Sequence, residues 1–111
     1  MKIQLSKGDI VLVSVPFVES LEEKLRPALV LHISSLYEDV TIVPITTKTE
    51  KEVYKAMTTI YPTPKNGLHH VSVIIDEKIM TISNRDVKGV LGTLEKVSYQ
   101  KILKRIRGFL R

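Results

Sequence analysis

Lys7-Gly8-Asp9-Ile10-Val11-Leu12-Val13-Ser14-Val15-Pro16 is the stretch that sets the fold class. Gly8-Asp9 reads as a turn, and Ile10 to Val15 is dense in β-branched residues, whose side chains suit a pleated surface better than a helix. Pro16 ends or bends the strand. Beyond it, Phe17 to Leu25 holds Glu19, Glu22, Glu23 and Lys24 with no period of two, which predicts a charged loop. Pro27 confines Arg26 to extended backbone, and Ala28-Leu29-Val30-Leu31-His32-Ile33 reads as a buried strand with Arg26 at its entrance. A third strand, Val40 to Thr47, follows the Tyr37-Glu38-Asp39 turn, and its Pro44 predicts an edge or a bulge.

The second half repeats the pattern less cleanly. Glu52 to Tyr61 reads as a strand, or as a short helix through Lys55-Ala56-Met57. Pro62, Pro64, Asn66 and Gly67 mark a turn-rich connection, and Val71 to Ser83 carries one long strand or two. Tyr99, Ile102, Leu103, Ile106, Phe109 and Leu110 follow helical spacing, with basic residues on the opposite face. The expectation is one domain over residues 1–111, mainly β, closed by a C-terminal amphipathic α-helix.

Composition bounds the function. The 111 residues contain no cysteine, which removes disulfides, thiolate metal sites and cysteine nucleophiles. The longest apolar stretches, Ile10 to Val13 and Ala28 to Leu31, are far below the roughly 20 residues that cross a bilayer. The N-terminus lacks the apolar core and cleavage site of a secretory signal, so a cytoplasmic protein is expected. The net charge of +5 is uneven: after Glu95 there are six basic residues and no acidic one, while positions 1–95 hold 11 basic and 12 acidic residues. A basic helix face is more often simply solvated; the partners it would take are RNA or an acidic protein.

Few side chains stand out for chemistry. His32, His69 and His70 lack metal-ligand spacing, adjacent histidines diverge on a strand, and an ordinary loop or core role is the commoner one. Gly89 and Gly92 form no phosphate loop, and no serine lies in a nucleophile elbow. Arg26 and Thr46 each sit at the end of a β-rich segment, where a rigid scaffold can aim a polar group. Singly, such an arginine is more often a surface ion-pair partner and such a threonine a turn former.

Read together, Lys7-Gly8-Asp9-Ile10-Val11-Leu12-Val13, Leu25-Arg26-Pro27-Ala28-Leu29-Val30-Leu31 and Val43-Pro44-Ile45-Thr46-Thr47 resemble the MazF/PemK toxin family in order and spacing. Gly67-Leu68, Ser72-Val73-Ile74, Ile79-Met80-Thr81-Ile82 and Val90-Leu91-Gly92-Thr93-Leu94 continue the resemblance over nearly the whole chain. It implies a small SH3-like β-barrel or strongly bent sheet with a C-terminal helix. It also implies a homodimeric, sequence-specific, metal-independent endoribonuclease (an mRNA interferase) that needs no cofactor. Its expected partners are single-stranded RNA as substrate and an acidic antitoxin.

Carried over by motif, the catalytic pair falls on Arg26 and Thr46, with Thr47, Ser72 and Lys78 as RNA-contact candidates. The residue types suit metal-free RNA cleavage, in which the 2′-hydroxyl attacks phosphorus and negative charge builds on the phosphate oxygens. Arg26 offers a planar fork of donors and Thr46 a hydroxyl, whereas a guanidinium is a poor base. Where the family commonly shows an acidic residue followed by glutamine, this chain has Glu77-Lys78, which removes a base reader and adds a phosphate contact. The loop before Arg26 lacks the family's usual glycines. Phe17, Tyr37, Tyr54 and Tyr61 are the aromatics available for stacking. Two other outcomes on this fold are a non-enzymatic poison similar to the CcdB toxins that bind DNA gyrase, for which Arg26 is dispensable, and a catalytically lapsed relative that only binds.

Overall fold

Strands that alternate between two buried faces have no polar side to show, and that is why three segments of this chain read as nearly unbroken aliphatic runs. The computed structural model describes residues 3–14, 25–47 and 58–110. In it β1 (Asp9–Ser14), β2 (Leu25–Ser34) and β3 (Asp39–Thr47) form the centre of an antiparallel sheet. Ile10, Leu29, Val43 and Ile45 point into one core cluster, and Val11, Val13, Ala28, Val30, Val40 and Ile42 into the other. The period of two delivers neighbouring residues to opposite faces. Ile102 and Ile106 of the C-terminal helix α1 (Lys96–Phe109) cover the first cluster; Ile3, Leu5, Met80 and Ile82 flank the second.

Four shorter strands complete the sheet. β4 (Thr58–Ile60) pairs with β5 (Ser72–Ile74), β5 and β6 (Met80–Ser83) both pair with β3, and β7 (Val87–Thr93) pairs with β1. The path runs β4-β5-β3-β2-β1-β7 with β6 beside β3. Among the described residues no ladder joins β4 to β7, so the sheet is bent but open, and the barrel closure expected from the resemblance is not found. Two register shifts between β1 and β7 and one in β2 between Val30 and His32 supply bends.

Val71 to Ser83 therefore contains two strands, separated by a turn at Ile75 to Lys78 closed by Lys78 N–H donating to Ile75 O at 3.1 Å. Pro44 lies on neither an edge nor a bulge. β3 uses Asp39–Ile42 to pair with β6 and Ile45–Thr47 to pair with β5, and Pro44 falls in the gap between them, where no N–H is wanted. β2 begins at Leu25, so Arg26 is inside the strand, opposite Val13. His32 is on a strand as expected, yet exposed. Of the helix's apolar positions, Leu110 is 65% exposed at the C-terminal end. Of the expected loop over Phe17 to Leu25, Leu25 opens β2 and the rest lies outside the described residues; of the helix-or-strand segment Glu52 to Tyr61, Thr58–Ile60 forms β4 and residues 52–57 lie outside, as does the side chain of Phe109.

One polar knot fastens α1 to the rest. Asn66 is fully buried; its Oδ1 accepts from Thr63 N (3.0 Å) and Leu68 N (3.1 Å), and its Nδ2 donates to Tyr61 O (3.0 Å) and Glu95 Oε1 (3.1 Å). All four hydrogen-bonding positions of the amide are thus filled. Thr63 Oγ1 donates to Glu95 Oε2 at 2.7 Å. Glu95 is the N-cap of α1, where a negative charge is favoured by the helix dipole.

The hydrogen bond from Thr63, aided by that from Asn66, holds the Glu95 carboxyl below the ordinary glutamate range. A carboxylate whose folded-state value is lowered stabilises the fold fully above its unfolded value, and that contribution fades as pH falls through the lowered one. Glu95→Gln is therefore expected to unfold at lower urea than wild type at neutral pH, because the amide loses the N-cap charge and has one acceptor oxygen where the carboxylate offered two to Thr63 and Asn66. The gap between the two midpoints narrows as pH drops below about 4.3. A gap that stays constant into acid would contradict this role of Glu95.

Candidate active site

The register of the central strands brings the two expected catalytic residues together. β2 and β3 pair Ala28 with Pro44, Leu29 with Val43 and Val30 with Ile42. That ladder ends at Ala28–Pro44, and Arg26 and Thr46 each lie two residues beyond the last pair. Both side chains share the face of Ala28 and Pro44, since successive residues alternate. They line one cleft of about 180 Å³ with Val13, Pro27, Ala28, Ile42, Pro44, Ile45, Ile75, Lys78 and Met80. Its floor is apolar and its polar groups are few: a guanidinium, a hydroxyl and an ammonium.

Each is held by a different element. Arg26 is exposed at the start of β2, kept extended by Pro27 and by its pairing with Val13. Thr46 is half-buried between β2 and β5, where it is registered with Val73. Lys78 is exposed at the end of the turn after β5, and that turn is hooked to β3 by Ile75 N–H donating to Pro44 O at 3.0 Å. Among the described residues no carboxylate pairs with Arg26 or Lys78. Two cations lining an apolar-floored cleft, with no paired carboxylate among the described residues, suit an anion chemically, and the guanidinium fork matches two phosphate oxygens.

The other candidates are placed differently. Thr47 is exposed and follows Thr46, so its side chain leaves the opposite face of β3. Ser72 is buried on β5, and its hydroxyl donates to His70 O at 2.8 Å. Tyr37 and Tyr61 are exposed, while Phe17 and Tyr54 lie outside the described residues. His69 and His70 are exposed in the segment before β5 and do not line the cleft. Among the described residues no three His, Asp or Glu side chains gather as ligands of a metal would.

On α1, Lys96, Lys101, Lys104 and Arg107 are exposed as expected. Arg105 is not on that solvated face. Its Nε lies 3.0 Å from Oδ2 of Asp76, which is 2% exposed, and its Nη1 donates to Thr58 Oγ1 at 3.2 Å. Burial pushes the Asp76 carboxyl above the ordinary aspartate range, with Arg105 pulling it the other way. Asp76 was invisible as a site residue in the sequence, where it opens an acidic turn; the signal available was its place two residues before Lys78.

A sequence model of the PemK-like, MazF-like toxins of type II toxin-antitoxin systems matches residues 6–110. The chain thus belongs to the PemK/MazF toxin family. No curated protein matches it by sequence. Among solved structures, MazF from Deinococcus radiodurans superposes with a TM-score of 0.74 at 14% identity, covering 96% of each chain. The Mycobacterium tuberculosis toxin MazF-mt6 gives 0.67 at 22% identity over 92% of this chain and 95% of that one. An endoribonuclease from a mycobacterial species, solved with its cognate antitoxin, gives 0.71 at 16% identity over 94% and 90%. These likenesses establish a shared fold.

Proposed function

We propose that this protein is a sequence-specific, metal-independent endoribonuclease, an mRNA interferase of a toxin-antitoxin pair, acting as a single toxin domain. The observation that carries the reading is the placement of Arg26 and Thr46 in one apolar-floored cleft, each two residues beyond the Ala28–Pro44 pair. The 2′-oxygen of the substrate forms a bond to the adjacent phosphorus as its proton passes to solvent water, and the bond from phosphorus to the 5′-oxygen breaks, the departing oxygen taking up a proton from solvent. The products are a 2′,3′-cyclic phosphate and a 5′-hydroxyl. Arg26 donates to the phosphate oxygens as charge accumulates on them, and Thr46 adds a hydroxyl donor. Lys78 holds a neighbouring phosphate, while Thr47, whose side chain leaves the other face of β3, is outside the cleft. Ser72, its hydroxyl already committed to His70, takes no part.

Family membership supports the rest of the proposal: a cytoplasmic homodimer held inactive by an acidic antitoxin, for which the exposed lysines of α1 offer complementary charge. The test is a long mixed-sequence RNA incubated with antitoxin-free protein in EDTA. Discrete cuts are expected, slowed on the order of 100-fold in Thr46→Ala by loss of a transition-state donor. Intact RNA with a well-folded wild type would overturn the reading and direct attention to DNA gyrase or to binding without turnover.

A further inference from the structure

The ion pair between Arg105 and buried Asp76 is not needed to explain the cleft's chemistry, yet it ends on the turn that builds one of its walls. Asp76 is the second residue of the Ile75-Asp76-Glu77-Lys78 turn, whose first and last residues line the cleft beside Arg26 and Thr46. Among the described residues, contacts of three kinds hold the turn. Ile75 N–H is held by Pro44 O, Lys78 N–H closes on Ile75 O, and the Asp76 carboxylate reaches the Arg105 guanidinium. Arg105 is itself fixed on α1 and braced by Thr58 of β4. A carboxylate only 2% exposed is costly to bury without a counter-charge, and among the described residues Asp76 Oδ2 has no hydrogen-bond donor, only this ion partner.

We infer that Arg105 is a positioning residue: through Asp76 it sets the turn that presents the Lys78 ammonium to substrate phosphate, coupling the C-terminal helix to the cleft. Arg105 lies away from the cleft lining and acts through the turn, without touching RNA. The inference rests on the RNA reading of the cleft. It assigns α1 a part in substrate affinity in addition to its packing on the sheet.

The test reads binding instead of cutting. Antitoxin-free protein is titrated with a fluorescent mixed-sequence RNA oligonucleotide carrying 2′-O-methyl groups, which cannot be cleaved, over a range of salt. Each phosphate contact contributes about 0.7 to 1 to the slope of log affinity against log salt. Lys78→Ala is expected to lower the slope by about one such contact. Arg105→Gln should lower it equally, and the double variant no further. Asp76→Asn, which keeps the side chain's shape, reports the same loss should Arg105→Gln fold poorly. Ile106→Val, a core truncation on the same helix, should keep the wild-type slope, separating positioning from simple destabilisation. Arg105→Lys, which retains the cation but not the fork, should recover part of the loss.

Wild-type slopes in both Arg105→Gln and Asp76→Asn would overturn the inference. So would a further unit lost in the double variant, which would make Arg105 a phosphate ligand itself, or a Lys78→Ala protein with an unchanged slope. A wild type that binds this oligonucleotide but cuts no natural RNA would sink the endoribonuclease reading and leave the positioning of Lys78 standing.

Discussion

Arg26→Ala is expected to lower kcat for RNA cleavage by roughly 100- to 1,000-fold, the usual cost of removing one preorganised donor from a developing oxyanion. The guanidinium lines an apolar-floored cleft, among the described residues without a carboxylate to neutralise it, and Thr46 lines the same cleft. The phosphate carries charge before the reaction and gains more during it, so the loss should appear mainly in kcat and less in KM. Arg26→Lys keeps the charge but not the two-pronged donor geometry, and is expected to restore little. Single-turnover rates on one RNA containing a mapped cut site measure both effects. Alanine and lysine variants that cut at wild-type rate would remove Arg26 from the mechanism.

The largest stability effect is expected from a residue with no side chain. Gly92 of β7 passes so close to the Lys65–Asn66 turn that an added Cβ would meet Asn66 C at 2.6 Å and Asn66 O at 2.8 Å, and would overlap Lys65 O. These are backbone atoms, and they cannot turn aside: Thr93 N–H holds Lys65 O at 2.9 Å, and the buried Asn66 amide is held by its four hydrogen bonds. Gly67, with φ +71°, brings the same turn against Leu91 O from the other side. Gly92→Ala should therefore cost about 2–4 kcal/mol and lower Tm by roughly 10–20 °C. Gly89→Ala, three residues earlier on the same strand, adds a Cβ that meets nothing within 4 Å among the described residues and should change stability by less than about 0.5 kcal/mol. Thermal unfolding of the two variants side by side decides it; equal Tm values would show that the turn yields.

The contrast between these glycines also shows what could be read from the sequence. The three central strands were legible because both faces of the sheet are buried, which leaves runs such as Ala28 to Leu31 without polar interruption. β7 was not, since it pairs only with β1 among the described residues and mixes Lys88, two glycines and exposed Val90. Residue spacing named Arg26 and Thr46 only by family likeness. What unites them is a register in which Ala28 faces Pro44, a long-range fact that no local pattern encodes. Arg105 follows the periodicity of a solvated face, and its turn toward Asp76 depends on the packing of α1 across β4 and the β5–β6 turn. Pro44 did carry a signal: a strand interrupted by an imino acid has to lose a partner there, and β3 changes partners at that residue.

The most direct measurement of the central claim is end-group analysis of one mapped cleavage, repeated on an RNA with a single 2′-deoxynucleotide immediately 5′ of the cut. The mechanism assigned to the Arg26–Thr46 cleft predicts a 2′,3′-cyclic phosphate and a 5′-hydroxyl on the natural strand, and no cut at the substituted position. Cleavage that persists at the deoxynucleotide, or that leaves a 5′-phosphate, would contradict attack by the 2′-hydroxyl and with it the role assigned to the cleft.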